Sequence, residues 1–216
     1  MSAPHQIPAE APRDCAICPR LAAYREANAS AEPSWFNGAA PSFGDPQARL
    51  LIVGLAPGRT GANRTGRPFT GDYAGDLLYG TLLKFGFAEG IYRADPEDGF
   101  TLKDAMITNA VRCAPPENKP TPAEIANCRP FLAARMAALP RLRVLIALGS
   151  IAHESVLRAV GMKPPQAKFA HSARAELPGG LALVSSYHCS RYNTQTKRLT
   201  TEMFEDVFAQ AKTLLG

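Results

Sequence analysis

The chain has no apolar run approaching the ~20 residues of a membrane span. Its first thirteen residues hold three prolines and no hydrophobic segment, so a transmembrane helix is excluded and no secretory leader is expected. Aromatic residues are sparse, at 8% with a single tryptophan, and there are only four histidines. An aromatic or a histidine in a polar loop therefore stands out. Internal repeats, coiled-coil heptads and low-complexity tracts are absent, which excludes solenoids and long supercoiled helices. What is present is 216 residues, 46% of them hydrophobic and 20% charged, enough for a sizeable buried core. One domain over residues 1–216 is expected, with residues 1–13 as a loose polar arm. The net charge of +5 permits a polyanionic partner without requiring one.

Four continuous apolar runs punctuate the chain: 49–55, 105–108, 144–149 and 181–185. Such runs mark parallel strands buried on both faces. Helical patterns separate them, at 19–28, after Asp72, behind the capping box Thr121-Pro122-Ala123-Glu124, from Ser150 to Val160 and from Leu199 to Leu215. Pro130 should weaken the third of these. The alternation predicts an α/β fold, a three-layer αβα sandwich around a central parallel four-stranded sheet. Ligands of such sheets bind at the carboxyl ends of the strands, where the unusual polar loops of this chain fall.

Five cysteines in a chain without an export signal suit metal or cluster binding better than disulfides. Cys15 and Cys18 form a C-x2-C, and Cys113 and Cys128 complete a set of four thiols. By spacing alone the set suits zinc and an iron–sulfur cluster equally. The competing reading, that Cys113 and Cys128 are ordinary core cysteines, is weaker because nothing else fixes Cys15 in its polar arm. Cys189 is the odd thiol.

The loop from Gly54 to Gly75 lacks the Lys-Ser/Thr ending of a phosphate-binding P-loop and the glycine spacing of a dinucleotide fingerprint. It carries Arg59, Arg64 and Arg67 and no acid before Asp72, a composition suited to gripping phosphate oxygens. Phe69 could stack a planar ligand or plug the core, and alone the plug is favoured. Asp72 could be a catalytic carboxylate or the N-cap of the next helix, and on composition the cap is favoured. The loop 186–198 holds His188, Ser190, Arg191 and Asn193, again without an acid, and residues 141–174 set six basic residues against one acid. Basic segments with aromatics and amides suit a nucleic-acid surface.

With these residues assembled, the chain resembles the B-type, or family-five, iron–sulfur uracil-DNA glycosylases from Cys15 to about Thr201. The resemblance rests on Gly54-Leu55-Ala56-Pro57-Gly58, on Arg67-Pro68-Phe69-Thr70-Gly71-Asp72, on Ile107-Thr108-Asn109 with Arg112 to Asn118, and on His188-Cys189-Ser190 with Asn193-Thr194. Ala56 stands where other branches carry an acid or amide for the attacking water, Cys189 where they carry proline, and Lys197 where a glycine is expected. The resemblance implies a base-flipping DNA repair enzyme that hydrolyses the N-glycosidic bond of uracil, and of other deaminated or damaged bases such as hypoxanthine. Asp72, Asn109 and His188 would then be catalytic, with Gly54, Ala56, Phe69, Asn109 and His188 binding the base. Arg59, Arg64, Arg67, Ser190, Arg191 and Asn193 would contact single- or double-stranded DNA. Cys15, Cys18, Cys113 and Cys128 would hold a structural 4Fe-4S cluster. A monomer in the cytoplasm of a prokaryote, associated with the nucleoid, is the implied setting. The alternative is an iron–sulfur nucleic-acid-binding protein without turnover.

Overall fold

The computed structural model describes residues 7–216. In chain order the elements are α1 (Pro19–Ala31), β1 (Phe43–Gly44), β2 (Leu50–Gly54), α2 (Ala62–Thr65), α3 (Tyr73–Lys84), β3 (Ala88–Glu89), β4 (Thr101–Leu102), β5 (Ala105–Asn109), α4 (Pro122–Ala137), β6 (Val144–Leu148), α5 (Ser150–Ala159), β7 (Arg174–Leu177), β8 (Leu181–Ser186), α6 (Arg191–Gln195) and α7 (Thr201–Leu215).

The four apolar runs are the parallel centre of the sheet, in the order β5-β2-β6-β8. The sheet is larger than expected. β1 adds antiparallel to β5 and β7 adds antiparallel to β8, giving a mixed six-stranded sheet. β3 and β4 pair separately as a short hairpin.

Successive side chains of a strand point to opposite faces, so each doubly buried strand serves two cores. Leu50 and Ile52 of β2 join Ile107, Ile146 and Val184 under α3 and α7, where Leu78, Phe204, Val207 and Phe208 are fully buried. Leu51 and Val53 join Leu145 and Leu183 on the other face, under Leu132 and Met136 of α4 and Val156 and Leu157 of α5. Each such side chain contributes about 1.5–3 kcal/mol on burial, so the two layers dominate the stability. The result is the expected three-layer sandwich with two edge strands added.

The capping box of α4 forms: Glu124 N donates to Thr121 Oγ1 at 3.3 Å and Thr121 N to Glu124 Oε2 at 2.7 Å. α4 runs through Pro130 without a break. Glu124 also receives both arms of Arg20, at 2.8 and 2.7 Å, which ties α1 to α4.

Residues 1–6 of the expected arm lie outside the described residues. The remainder is not loose. Glu10 pairs with Arg112 and Arg135, Arg112 Nη2 donates to Ala9 O, and Ala39 N donates to Arg13 O at 2.9 Å. The physical reason is Arg112, a guanidinium only 1% exposed that needs a counter-charge.

Candidate active site

β2 and β5 end side by side, with Gly54 paired to Asn109, and β8 ends just before His188. A cavity of about 400 Å³ opens over these strand ends and is lined by residues 55–58, Phe69, residues 72–74, His188, Ser190 and Arg191 together with Asn109 and Asn118.

Gly54 has no side chain for a steric reason. A Cβ there would meet Asn109 Oδ1 and stand 2.6 Å from Phe69 Cζ. Glycine thus lets the Phe69 ring and the Asn109 amide close on the strand end. Asn109 is 2% exposed, and its Oδ1 has no hydrogen-bond partner among the described residues. A buried orphan acceptor costs about 1–3 kcal/mol, and a ligand donor in the cavity would recover it. The Phe69 ring stacks on His188, with centroids 6.0 Å apart and planes 28° apart. Phe69 belongs to the core and also walls the cavity.

Asp72 stands at the N-cap position of α3, yet its side chain makes no capping bond. The carboxylate turns instead toward the 58–61 loop, where a Cβ on Gly58 would stand 2.6 Å from Oδ1 and one on Gly61 would collide with the whole group. Burial pushes its pKa up to about 6, against the pull of Arg64. His188 is pushed down to about 4 by burial, so its imidazole is neutral at pH 7. Ala56 lines the cavity but offers no polar side-chain group. At neutral pH the cavity therefore carries one ionised carboxylate and one neutral imidazole beside an aromatic ring and an amide.

The six polar residues expected to touch DNA separate into four groups. Arg59 and Arg64 are exposed at the loop surface; Arg59 donates to Asn28 Oδ1 and lies over the Trp35 ring, and Arg64 donates to Thr60 O. Arg191 is exposed at the cavity rim, 5.0 Å over the Tyr73 ring. Ser190 caps α6 by accepting from Asn193 N at 3.4 Å, and Asn193 Nδ2 donates to His188 O at 2.8 Å, so this pair braces the histidine loop. Arg67 departs from the expectation. It is 5% exposed and forms a two-armed pair with Asp98, so it cannot reach a phosphate.

Two residues that no motif assigned to the site, Asn118 and Tyr73, also line the cavity, and Tyr192 stands beside Arg191 on α6. Asn118 holds a left-handed φ of +57° and lines the cavity. Its only local signal is its residue type, one of the few that tolerate that backbone region. Lys197, where glycine was expected, has φ of +58°, which accounts for that expectation.

Cys15, Cys18, Cys113 and Cys128 line one small apolar cavity between the arm, α1 and α4. No group of three or more His, Cys, Asp or Glu side chains among the described residues is gathered closely enough to hold a single metal ion. Three N–H donors face the sulfurs: Arg112 N to Cys128 at 3.2 Å, Asn127 Nδ2 to Cys18 at 3.6 Å and Arg25 Nη1 to Cys113 at 3.8 Å. Burial pushes the Cys113 thiol up to about 12 and Cys128 up to about 11. Four cysteines lining one cavity, with N–H donors on three of the sulfurs, fit a thiolate-bound group larger than a single ion, such as an iron–sulfur cluster. Cys189 lies apart, buried against Ala74 O.

The family model of the uracil DNA glycosylase superfamily matches residues 41–212, which include every residue lining the cavity of about 400 Å³. The chain belongs to the uracil-DNA glycosylase superfamily. Within that superfamily it groups with the Type-5 branch. It is 47% identical over 208 residues to the Type-5 uracil-DNA glycosylase of Thermus thermophilus, with 94% of each chain covered. It is 37% identical to that of Pyrobaculum aerophilum over 205 residues, covering 92% of this chain and 88% of the other. A Type-4 uracil-DNA glycosylase of Pyrobaculum aerophilum is 32% identical over 70% of this chain. Among the described residues no helix is long and apolar enough to cross a membrane.

Proposed function

We propose that this chain, acting as a single-domain monomer, removes uracil from DNA by hydrolysing its N-glycosidic bond. Membership of the Type-5 branch supports the reaction, and one observation in the cavity carries the choice of base. Asn109 Oδ1 is a buried acceptor with nothing to accept from among the described residues. The N3–H of uracil is a donor flanked by carbonyl oxygens, which matches an amide that presents an acceptor beside its own N–H groups. Cytosine, with an acceptor at N3 and an amino donor at C4, presents the reverse pattern and is mismatched to the amide in this orientation. Hypoxanthine offers the same N–H next to a carbonyl, and the cavity of about 400 Å³ has room for a purine, so it is a second substrate.

The bond is inaccessible inside a base stack, so the nucleotide must be extruded into the cavity. Phe69 stacks the base and Asn109 holds its edge. As the C1′–N bond breaks, its electron pair leaves with the base and positive charge develops on the sugar. The neutral His188 donates a hydrogen bond to the departing base. The ionised Asp72 balances the sugar cation and orients the water whose oxygen bonds to C1′; the water's proton passes to the carboxylate and then to solvent. Asn118 lines the same cavity as Asp72. A 4Fe-4S cluster on Cys15, Cys18, Cys113 and Cys128 would supply a cross-link between the arm and α4, with no part in the chemistry. Arg59, Arg64 and Arg191 form the phosphate-facing surface. The setting is the prokaryotic nucleoid.

A nucleic-acid-binding protein without turnover would gain nothing from Asp72, whose charge faces the cavity and repels phosphate. Single-turnover excision from a labelled duplex carrying one uracil tests the reading. Release of the base at a rate that Asp72→Asn abolishes is the expected result. Tight binding with no release would overturn it.

A further inference from the structure

Phe69 and Asp72 both project from the turn 67–72, whose backbone is an unusual one. Phe69 has φ of +57° and Gly71 φ of +82°, and a bulky residue in the left-handed region persists only where its surroundings hold it. Here the carbonyls of the turn are held in sequence. Tyr79 Oη donates to Pro68 O at 2.5 Å and Tyr92 Oη donates to Phe69 O at 3.3 Å. Thr65 Oγ1 lies 3.2 Å from both Arg67 O and Thr70 O. α3 makes room for this arrangement with Gly75, where a Cβ would collide with Phe69 O and stand 2.6 Å from Tyr92 Oη.

Behind the carbonyls lies the buried guanidinium of Arg67. Its Nε donates to Thr70 Oγ1 at 2.6 Å, and it lies within 5.6 Å of the centroids of Phe43, Tyr79 and Tyr92. Tyr79 and Tyr92 stack on each other at 4.5 Å. The counter-charge comes from far along the chain. Asp98 takes both arms of Arg67, at 2.8 and 2.9 Å, and its carboxylate also accepts from Arg93 N and Phe100 N at 2.9 Å each. The Asp98 side chain is fully buried. No solvent competes for this pair, and the arginine holds the Asp98 carboxyl well below the usual carboxylate range.

We propose that Asp98 is a positioning residue for the glycosylase reaction: through Arg67, Tyr79 and Tyr92 it fixes the turn from which Phe69 and Asp72 reach the base. It touches neither base nor sugar. The inference rests on the proposed uracil reading and adds to it a residue from a loop remote from the cavity. A base stacked by Phe69 and a carboxylate at C1′ must be registered to well under 1 Å, and a misplacement of that size costs orders of magnitude in rate.

The test compares wild type with Asp98→Asn, Asp98→Glu and Tyr92→Phe. Tyr92→Phe deletes one hydroxyl and leaves the ring stack and the ion pair, so it keeps the proposal testable should Asp98→Asn fold poorly. Single-turnover excision at saturating enzyme is read beside Tm and beside affinity for a duplex containing 2′-fluorinated deoxyuridine, which resists cleavage. Asp98→Asn should slow excision on the order of 10-fold or more, and Tyr92→Phe by a smaller factor with nearly unchanged Tm. Affinity should hold in both, and Asp98→Glu should recover part of the rate. Effects of Asp98→Asn and Tyr92→Phe combined should be less than additive, because both act on one turn.

A second readout is independent of excision. The charged and titratable groups around Asp72 are Arg64 from α2, Tyr73 from α3, His188 and Cys189 after β8, Arg191 from α6, and Arg59, Tyr24 and Glu117 across a neighbouring cavity. None is altered by these variants. Followed by 13C NMR, the Asp72 carboxyl should titrate at lower pH in Asp98→Asn as the turn relaxes and water reaches it. A lowered Tm with wild-type rate and wild-type Asp72 titration would overturn the proposal and leave Asp98 merely structural. A wild-type protein that excises no uracil would instead overturn the uracil reading, while the Asp72 titration still decides the role of Asp98.

Discussion

The carboxylate of Asp72 lies against the bare backbone of Gly61, in space that any Cβ on that residue would occupy. Glycine at 61 is therefore a requirement of where Asp72 points. Gly61→Ala should drive the carboxylate off the 58–61 loop. Excision should fall by on the order of 10²-fold, while DNA affinity, measured by anisotropy, changes little. A fully active Gly61→Ala would mean that Asp72 works from another orientation.

Asp72→Asn should move activity and stability in opposite directions. The folded pKa of about 6 lies above the ordinary value of 3.8, so folding favours the protonated form. Stability from this group is fully present below pH 3.8 and is lost as pH rises through 6. At pH 8 the buried charge is a net cost. Removing it should stabilise the fold at pH 8 by about 3 kcal/mol at most, seen as a raised Tm, and have little effect at pH 4. Excision should fall ~10²-fold or more, and the wild-type rate should decline as pH drops through about 6. A cap loss would do the reverse, costing ~1 kcal/mol and sparing the rate. Melting curves at both pH values with single-turnover rates distinguish the two outcomes.

Purified protein should be brown, with a broad visible absorbance and about four irons per chain. Cys113→Ser should bleach it and lower Tm, because α1, the arm and α4 meet at that cavity. Cys189→Ser should leave the absorbance intact, since Cys189 lies apart from the four and bonds Ala74 O. Stoichiometric zinc in a colourless preparation would overturn the cluster assignment.

Salt dependence separates exposed arginine from buried arginine. Each phosphate contact contributes roughly −0.9 to the slope of log affinity against log salt. Arg64→Ala and Arg191→Ala should each flatten the slope by about one contact. Arg67→Ala should leave the slope unchanged and lower the Tm steeply, since it abandons the buried Asp98 at a cost of ~3–5 kcal/mol. An Arg67 variant that alters the slope alone would restore it to the footprint.

The contrast between Arg64 and Arg67 also shows what the sequence could disclose. Two arginines three residues apart in a polar, glycine-rich loop read alike, because local pattern reports composition and spacing. Arg67 is buried by Asp98, thirty-one positions on, and by rings on α3 and beyond. That pairing exists only once the chain is folded. The four central strands were legible because each is apolar on both faces. β7, Arg-Ala-Glu-Leu with half its residues exposed, and the two-residue β1 were not, since an edge strand carries no such run. Phe69 and Asp72 stood out by type, but the direction of the Asp72 carboxylate depends on two glycines and a strained turn. Composition favoured the cap; the fold left the cap bond unmade.

Tyr192 is 70% exposed, the most exposed large hydrophobic residue among those described, and it stands on α6 next to the rim residue Arg191. Leaving an aromatic in water beside a cavity that must receive an extruded base has a physical use. Extrusion breaks stacking at a cost of a few kcal/mol, and a ring inserted into the gap restores ~1–3 kcal/mol of it. The gain exists only on duplex, because a single strand has no stack to refill. Tyr192→Ala should therefore slow excision from a duplex by roughly 10–100-fold and from the matching single strand far less. Tyr192→Phe should keep most of the duplex rate, since the stacking face is retained and the hydroxyl makes no bond the wedge requires. The ratio of duplex to single-strand rates, measured under single turnover for wild type and both variants, isolates this effect from folding and from the chemical step. An equal loss on both substrates would place Tyr192 in catalysis or stability, and no loss on either would leave its exposure without a role in extrusion.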